Sequence, residues 1–448
     1  MKELLAETAA RAARYASDIR TRRVSPLPED IAHLDTLSGP LGDHGCDPAT
    51  VLALLDDIGS PSTVASTGGR YFGFVTGGTL PAALAANWLA GAWDQNAALY
   101  AMSPVAAKIE ETALDWLRDV LRLPASCGAG FVTGATMANF TGLAAARHAL
   151  LARAGWNVEE NGLFGAPDLT VVAGAEVHVS LLKALSLLGL GRARVKTIPT
   201  DDQGRMKAEA LPPLDERTIV CIQAGNVNTG AFDPAEDICY RAHAAGAWVH
   251  VDGAFGLWAS AAPARAELVR GFSQADSWAT DCHKWLNVPY DSGLALVREP
   301  QFLRAAMVMN AAYIQTSDAR EPAFYTPEAS RRARGIEIWA ALRSLGRRGL
   351  AEMIERNCRL ATRFAEGLRR AGYQILNEVK LNQVLASFGD AATTRRVIAA
   401  VQQEGTCWCG VTEWHGQAAM RISVSCWANT EDDVDRSLAA LIKMAEEQ

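Results

Sequence analysis

Residues 247–256 read AWVHVDGAFG. An apolar run of strand length ends on a carboxylate, Asp252, and the chain turns at once through Gly253. An isolated charge at the end of a buried strand is costly, so Asp252 calls for a cationic partner. The same grammar recurs on either side, in GAGFVTG (128–134), LTVVAG (169–174), RTIVCIQAG (217–225) and GLALV (293–297). Helix-like runs lie between, such as TMANFTGLAAARHALLARAG (136–155), SLLKALSLLGLG (180–191) and PAEDICYRAHAAG (234–246). Strand, helix, strand repeated in this way predicts an α/β fold with a mainly parallel central sheet and helices on both faces. The strands are apolar without alternation, as strands covered on both sides should be. In such sheets ligands bind beyond the carboxyl ends of the strands, so the residues just after each strand are the candidates for chemistry.

Farther out the texture changes. From residue 335 a long amphipathic helix or a pair of helices is expected, followed by LNQVLASFG (381–389), a helical TTRRVIAAVQQEG (393–405), MRISVSCW (420–427) and a last helix capped by Thr430. The domain expectation is a helical segment over 1–60, a large domain over 61–310, a loop over 311–334 and a small α+β domain over 335–448.

Bulk properties narrow the function class. The chain has 448 residues, 49% hydrophobic and 21% charged, which suits a soluble protein of more than one domain. A net charge of −7 argues against a general binder of nucleic acid or anionic membrane. Met1–Arg23 lacks the unbroken apolar core of a signal peptide. No uncharged apolar stretch reaches the length of about 18 residues needed for a membrane span. The nine cysteines show no CxxC pair and the eight histidines no HExxH spacing. Reduced thiols in a cytoplasmic protein without a metal site are expected.

Four strand ends carry candidates. Thr133–Phe140 opens a helix with small and hydroxyl residues, so the amides of Ala135 and Thr136 could bind a phosphate; a plain strand-to-helix turn is the competing reading. His178 follows LTVVAGAEV, and a hydrogen-bonded structural histidine reads equally well there. Asn226 follows RTIVCIQAG. Lys284 lies between short apolar runs, where lysine is uncommon unless it is paired or chemically used. A phosphate at Ala135 and Thr136, Asp252 for a protonated ring nitrogen, His178 to stack and Lys284 to form an imine together describe a site for pyridoxal 5′-phosphate.

The motifs then become specific. RYFGFVTGG (70–78), LYAMSPVAAKIEETALDWL (99–117), VTGATMANFTGLAAAR (132–147), HVSLLKA (178–184), HVDGAFG (250–256), DCHKWLNVPYDSG (281–293), SRRARGIEIWAALRSLG (330–346) and MRISVS (420–425) stand in one order along most of the chain. In that order the chain resembles the pyridoxal-phosphate-dependent group II decarboxylases, the aromatic-L-amino-acid and glutamate decarboxylase group, with the fold of the aspartate aminotransferase superfamily. The resemblance implies a central sheet of the seven-stranded type, with Lys284 holding the cofactor through an imine. It implies that Asp252 keeps the pyridine nitrogen protonated, that His178 stacks on the ring and that Ala254 packs beneath it. It places His283 near the phosphate and Asn226 among the cofactor residues. Asp281 departs from the pattern, because some members carry Asn there. An acid beside a dianion is repulsive, so Asp281 is expected to turn away or bind His283 and is left out of the cofactor set.

The resemblance also assigns Asn310–Arg334 to the place of a mobile catalytic loop that closes over a partner subunit's site. Tyr325 is the first choice for its proton donor and Tyr313 the rival. Tyr71, Phe72, Phe74 and Tyr100 are candidates for substrate-pocket walls, with core packing as the alternative. Arg421 matches an arginine aimed at a substrate carboxylate, or else forms an interface ion pair. A homodimer is implied by the N-terminal segment. The expected reaction is decarboxylation of an L-amino acid to the amine and carbon dioxide. An aldehyde synthase, aminotransferase or lyase on the same scaffold competes with it, as does a cofactor-binding regulator. Aromatic walls favour an aromatic or apolar substrate, whereas glutamate or aspartate would need a second cation, for which Arg70 stands nearest.

Overall fold

Seven short strands make the larger sheet: β1 (Gly128–Val132), β2 (Thr170–Gly174), β3 (Lys196–Ile198), β4 (Thr218–Gln223), β5 (Trp248–Asp252), β6 (Ser277–Asp281) and β7 (Gly293–Val297). They lie in the order β1-β7-β6-β5-β4-β2-β3. The pairs β3-β2, β2-β4, β4-β5 and β5-β6 are parallel, and β7 runs antiparallel to both β1 and β6. The structure is a computed structural model that describes residues 1–309 and 319–448. β1, β5, β6 and β7 are buried along their whole length, which is why their sequences show no polar alternation. The five runs anticipated from sequence are all strands; β3, with two exposed residues, gave too little apolar signal to be expected.

The helix Ala135–Arg153 crosses β5, β6 and β7, and twelve of its residues are buried. Its small side chains, Ala138, Gly142 and Ala145 among them, let it lie close to the sheet. With the helices Val179–Leu187 and Pro300–Met307 it closes an apolar cluster over Val171, Ala173, Ile219, Cys221 and Trp248. The helix Pro104–Val120 starts as its sequence predicts, with the Ser103 hydroxyl accepting from the Ala106 amide at 3.3 Å.

A second sheet has the order β10-β11-β9-β8, from β8 (Gln374–Ile375), β9 (Gln383–Ser387), β10 (Gly410–Trp414) and β11 (Gln417–Ser423). The closing helix Glu431–Glu446 carries a full capping box: the Thr430 hydroxyl accepts from the Asp433 amide, and the Asp433 carboxylate accepts from the Thr430 amide.

By contact the chain divides into a larger unit, 77–359 with 377–383, and a smaller one, 1–76 with 360–376 and 384–448. This division differs from the one drawn on texture. Residues 1–76 belong with the C-terminal sheet, because Arg70–Phe72 pairs with Trp408 and the Ser423 amide donates to the Phe72 carbonyl. The span Gly335–Arg370 is two helices joined at Gly346, whose φ of 60° breaks the helix. Among the described residues no helix is long and apolar enough to cross a membrane.

Candidate functional site

The carboxyl ends of the parallel strands converge on a chain of contacts in the larger unit. Gln223, at the end of β4, pairs in register with Asp252 at the end of β5. The Gln223 side chain donates to the Glu176 carbonyl at 2.8 Å, and Asn226 reaches the same oxygen at 3.5 Å. The turn carrying His178 therefore lies beside the turn carrying Asn226. His178 caps the helix Val179–Leu187, its Nδ1 2.7 Å from the Ser180 hydroxyl. Asn226 folds its own turn, its Oδ1 accepting from the Asn228 and Thr229 amides.

The Asp252 carboxylate is 5% exposed. Its Oδ1 accepts from the Ala254 amide at 3.2 Å and its Oδ2 from the Asn139 amide group at 3.1 Å. Ala254 is fixed in turn, since its carbonyl accepts from the Asp281 amide at 2.9 Å. Asp281, at the end of β6, joins the remaining candidates. Its Oδ1 accepts from the Ala135 amide at 2.5 Å and lies 3.4 Å from His283 Nε2, while its Oδ2 lies 3.0 Å from Lys284 Nζ. His283 stacks on Tyr290 with ring centres 4.4 Å apart, and its Nδ1 accepts from the Ser292 amide. That leaves the ring proton on Nε2, facing Asp281. Burial holds the His283 imidazole below its ordinary pKa, against the pull of Asp281. The Lys284 side chain keeps 19% of its surface exposed, so its amine is reachable.

The backbone here leaves no room for side chains at two glycines. A Cβ on Gly77 would fall on the Lys284 carbonyl, and one on Gly293 would strike the backbone of Gly134. The first brings the segment at Gly77 against the lysine turn, and the second brings the start of β7 against the residue before the helix Ala135–Arg153. Thr136 lies in the first turn of that helix, half-buried.

One expectation about this cluster is met in the second of its two forms. Asp281 does meet His283, but it does not turn away: it stands between Lys284 and the helix start, because the Ala135 amide and the Lys284 ammonium both attract an anion there. The sequence reading also missed Asn139, His250, Ser277 and Tyr290. His250 carried a usable signal, since it lies two residues before Asp252 and so shares its face of the strand.

The other candidates lie elsewhere. Tyr71, Phe72, Phe74 and Arg421 belong to the smaller unit. Tyr71 stacks on Trp408 at 5.1 Å, Phe74 lies 5.2 Å from the same ring and is 61% exposed, and Phe72 is fully buried edge-on to Phe364. Phe72 is thus a core residue of that unit. Arg421 sits on β11 opposite Gly410, and burial lowers its pKa. In the larger unit the Tyr100 amide donates to Glu321 at 2.7 Å. Tyr325 ends a short 3-10 turn, packed on the apolar cluster with the Arg320 guanidinium 4.3 Å over its ring. Tyr313 lies outside the described residues. A cleft of about 330 Å³ lined by Arg205, Asp233, Arg270 and Glu378 shares no residue with the cofactor candidates.

The pyridoxal-dependent decarboxylase conserved domain matches residues 61–388. An aromatic-L-amino-acid decarboxylase of Bacillus atrophaeus is 25% identical over 96% of this chain and 92% of its own length. An L-2,4-diaminobutyrate decarboxylase of Rhizobium meliloti is 30% identical over 82% of this chain and 75% of its own. A relative from Bos taurus, 28% identical over 69% of this chain and 61% of its own length, is named an acidic amino acid decarboxylase. Among solved structures, Oryza sativa TDC with PLP and tryptamine superposes with a TM-score of 0.91 at 22% identity, over 100% of this chain and 97% of that one. The chain belongs to the pyridoxal-dependent decarboxylase family, and it is a pyridoxal phosphate-dependent amino-acid decarboxylase.

The residues present fit that cofactor. A reachable lysine amine, an acceptor carboxylate at a neighbouring strand end and a helix start walled by glycine suit an aldehyde, a ring N–H and a phosphate respectively. Asp281 makes the phosphate end a site of mixed charge.

Proposed function

We propose that this enzyme converts an aromatic or otherwise apolar L-amino acid to its amine and carbon dioxide. The observation that carries the choice is the state of Arg70. An acidic substrate needs a second cation, and Arg70 is the one beside the aromatic run Tyr71–Phe74. Its guanidinium is buried and donates to three main-chain carbonyls, those of Arg20 at 3.0 Å, Arg22 at 2.9 Å and Thr406. A carboxylate side chain would have to break those bonds to reach it. Phe74, exposed beside the half-buried Trp408 ring, offers instead an aromatic face, the usual partner of a flat apolar group.

Each residue of the larger unit then takes a role. Lys284 supplies the amine that links to the cofactor aldehyde and gives way to the substrate amine. Asp252 accepts the ring N–H, while Ala254 and His178 bound the two ring faces. The Ala135 and Thr136 amides, with His283, meet the phosphate, and Asn226 shapes the neighbouring turn. Bound there, the cofactor supplies an electron-accepting ring that stabilises the carbanion left when carbon dioxide departs.

We also infer a homodimer in the cytoplasm. In the smaller unit the helices Lys2–Asp18 and Pro48–Ser62 bury none of their residues, and Leu5, Val51, Leu54 and Leu55 stay exposed, apolar groups that a second copy of the chain would cover. Sedimentation of the purified protein tests this, and a monomer at micromolar concentration would refute it.

The deciding experiment for the reaction is a screen of the holoenzyme against the common amino acids, 2,4-diaminobutyrate and dopa, scored by kcat/KM with product analysis. Amine with carbon dioxide from tyrosine, phenylalanine, tryptophan or dopa is expected. Preference for glutamate or aspartate overturns the substrate class. Aldehyde with ammonia, or keto acid alone, overturns the reaction.

A further inference from the structure

Trp248, His250 and Asp252 are alternate residues of β5 and share one face of the strand. The helix Ala135–Arg153 covers that face, and Ser277 of β6 flanks it. All the polar side chains between them are buried: Asn139, His250 and Ser277 at 0%, Trp248 at 2%. They form an unbroken line. The Trp248 Nε1 lies 2.9 Å from the Ser277 hydroxyl, which lies 2.8 Å from His250 Nδ1. His250 Nε2 lies 2.9 Å from Asn139 Oδ1, and Asn139 Nδ2 lies 3.1 Å from Asp252 Oδ2.

One direction satisfies every atom. A carboxylate accepts only, so the NH₂ of Asn139 faces Asp252; the reverse orientation would set two acceptor oxygens together. Asn139 Oδ1 must then accept, which puts the His250 proton on Nε2. His250 Nδ1 is left bare and accepts from the Ser277 hydroxyl, whose oxygen accepts from the Trp248 N–H. Burial drives the His250 pKa down to about 3, so the ring is neutral and holds this single tautomer. The helix also makes room for the ring. A Cβ on Gly142 would come within 2.9 Å of His250 Cε1 and 3.1 Å of Nδ1.

We propose that Asn139, His250 and Ser277 are positioning residues, a one-way hydrogen-bond chain that fixes the Asp252 carboxylate where it meets the cofactor's ring nitrogen. This rests on the reading of Asp252 given above. Among the described residues Asp252 has one main-chain donor, the Ala254 amide, so its second oxygen takes its direction from Asn139. A free Asn amide could flip; His250 Nε2–H locks it, and Ser277 locks the His250 tautomer in turn. The chain thereby passes the rigidity of β5 and β6 to a carboxylate at their ends.

The test uses holoenzyme reconstituted with ring-¹⁵N pyridoxal phosphate. It compares wild type with Asp252→Asn, His250→Phe, His250→Gln, Ser277→Ala and Gly142→Ala. The ring-nitrogen resonance is read by solid-state NMR, the cofactor Kd by titration of the apoprotein, and kcat and KM separately. In His250→Phe the resonance should move toward that of an unprotonated pyridine, and kcat should fall about ten- to a hundredfold, the range for removing an outer-shell partner. KM should stay within about threefold, since substrate contacts are untouched. His250→Gln, which can still donate to Asn139, should recover part of both effects. Gly142→Ala removes no polar atom but crowds the ring, and should reproduce part of the shift. A normal ring-nitrogen resonance in folded His250→Phe would show that the line is packing only. Should that variant not fold, Ser277→Ala carries the same comparison with the same two outcomes. An unchanged resonance in Asp252→Asn would instead remove the underlying reading of Asp252, which separates the two failures.

Discussion

The end of β5 and the segment Arg70–Val75 both set charged and aromatic groups close together, yet they are built by different means. Around Asp252 regular strands, one helix and the short turn at Ala254 hold the contacts, and strand register decides which strands face each other. Around Arg70–Val75 the chain is irregular. Phe74 and Val75 take positive φ angles of 53° and 58°, and a Cβ on Gly73 would strike the Trp408 ring. A β-branched residue at positive φ costs on the order of 1–3 kcal/mol, which the surrounding packing has to hold in place. The first region is prescribed by topology and the second by particular neighbours far away in sequence.

The comparison breaks most sharply at Lys284. Lys284→Ala should lower kcat by about 10⁵-fold or more, the scale of removing a covalent catalyst. The fold should persist, because the side chain is partly exposed and, among the described residues, its ion pair is with Asp281. Borohydride should fix the cofactor to wild type and not to this variant, and mass spectrometry of the digested protein checks both. Turnover within about 10²-fold of wild type in the variant would sink the assignment.

Asp252→Ala comes next. It should cost about 10²–10³-fold in kcat, the size of losing one preorganised electrostatic partner, with a smaller change in cofactor affinity. Asp252→Glu should recover little, because the carboxylate would be displaced by a methylene from a place fixed by Ala254 and Asn139. Near-normal kcat in Asp252→Ala would make this aspartate structural.

The two tyrosines give a smaller effect and a sharper choice. Tyr325 is fastened: Arg320 lies over its ring, and Arg320 itself pairs with Glu110 at 2.7 Å. Burial raises the Glu110 pKa, but Arg331 and Arg320 outweigh it and bring the carboxylate below its usual value. To protonate a carbanion, Tyr325 would have to leave this packing. If it does so, Tyr325→Phe should slow amine formation about 10²-fold, as for loss of a general acid, while carbon dioxide release continues. If Tyr313 is the donor, Tyr313→Phe shows that split and Tyr325→Phe only lowers stability. Amine and carbon dioxide measured in the same reaction decide between them.

At the irregular region the expected split is between stability and recognition. Arg70→Ala should destabilise the protein by about 2–3 kcal/mol, the scale of hydrogen bonds to a charged group, without changing which substrate is preferred. Phe74→Ala should do the converse, raising KM for an aromatic substrate about tenfold through loss of one aromatic contact, with little change in unfolding. A gain of acidic-substrate activity in wild type that vanishes in Arg70→Ala would reverse the substrate reading.

How far the sequence could be read follows from the same contrast. The strands ending at Val132, Gly174, Gln223 and Asp252 were legible because buried strands write unbroken apolar runs, and strand ends in a parallel sheet point at one edge. Thr430 and Ser103 were legible because a cap is a local signal. Asn139 was hidden among small helix residues, and its partner His250 looked like one more strand position. Phe72 and Phe74 carry the same side chain two residues apart. Only the structure separates the buried ring on Phe364 from the exposed ring near Trp408. Asp281 meets His283, one of the two outcomes expected of it, but its contact with Lys284 was not foreseen because only repulsion from a phosphate was weighed.

The smallest expected effect is on the pH dependence of stability, and it sets two buried groups against each other. His250 has its pKa lowered by burial to about 3, so its ring stays neutral in the fold while the unfolded chain takes up a proton below the ordinary histidine value. Its contribution is full above about pH 6.5 and is lost as pH falls toward 3, at up to about 1.4 kcal/mol per pH unit. His283, lowered by burial as well, adds to the same sign. Asp233 works the other way. Burial raises its pKa to about 6, although the Met206 and Gln223 amides donate to it. Its contribution is full below the ordinary carboxylate value and is lost as pH rises through about 6. Urea unfolding of the holoenzyme between about pH 5 and 6.5 should therefore show wild type losing stability on acidification with a shallow slope. His250→Gln should flatten or invert that slope, because Asp233 then faces one opposing histidine in place of two. Asp233→Asn should steepen it. Identical slopes in all three proteins would mean that neither buried group changes its proton affinity on folding, and the tautomer assigned to His250 would lose its electrostatic support.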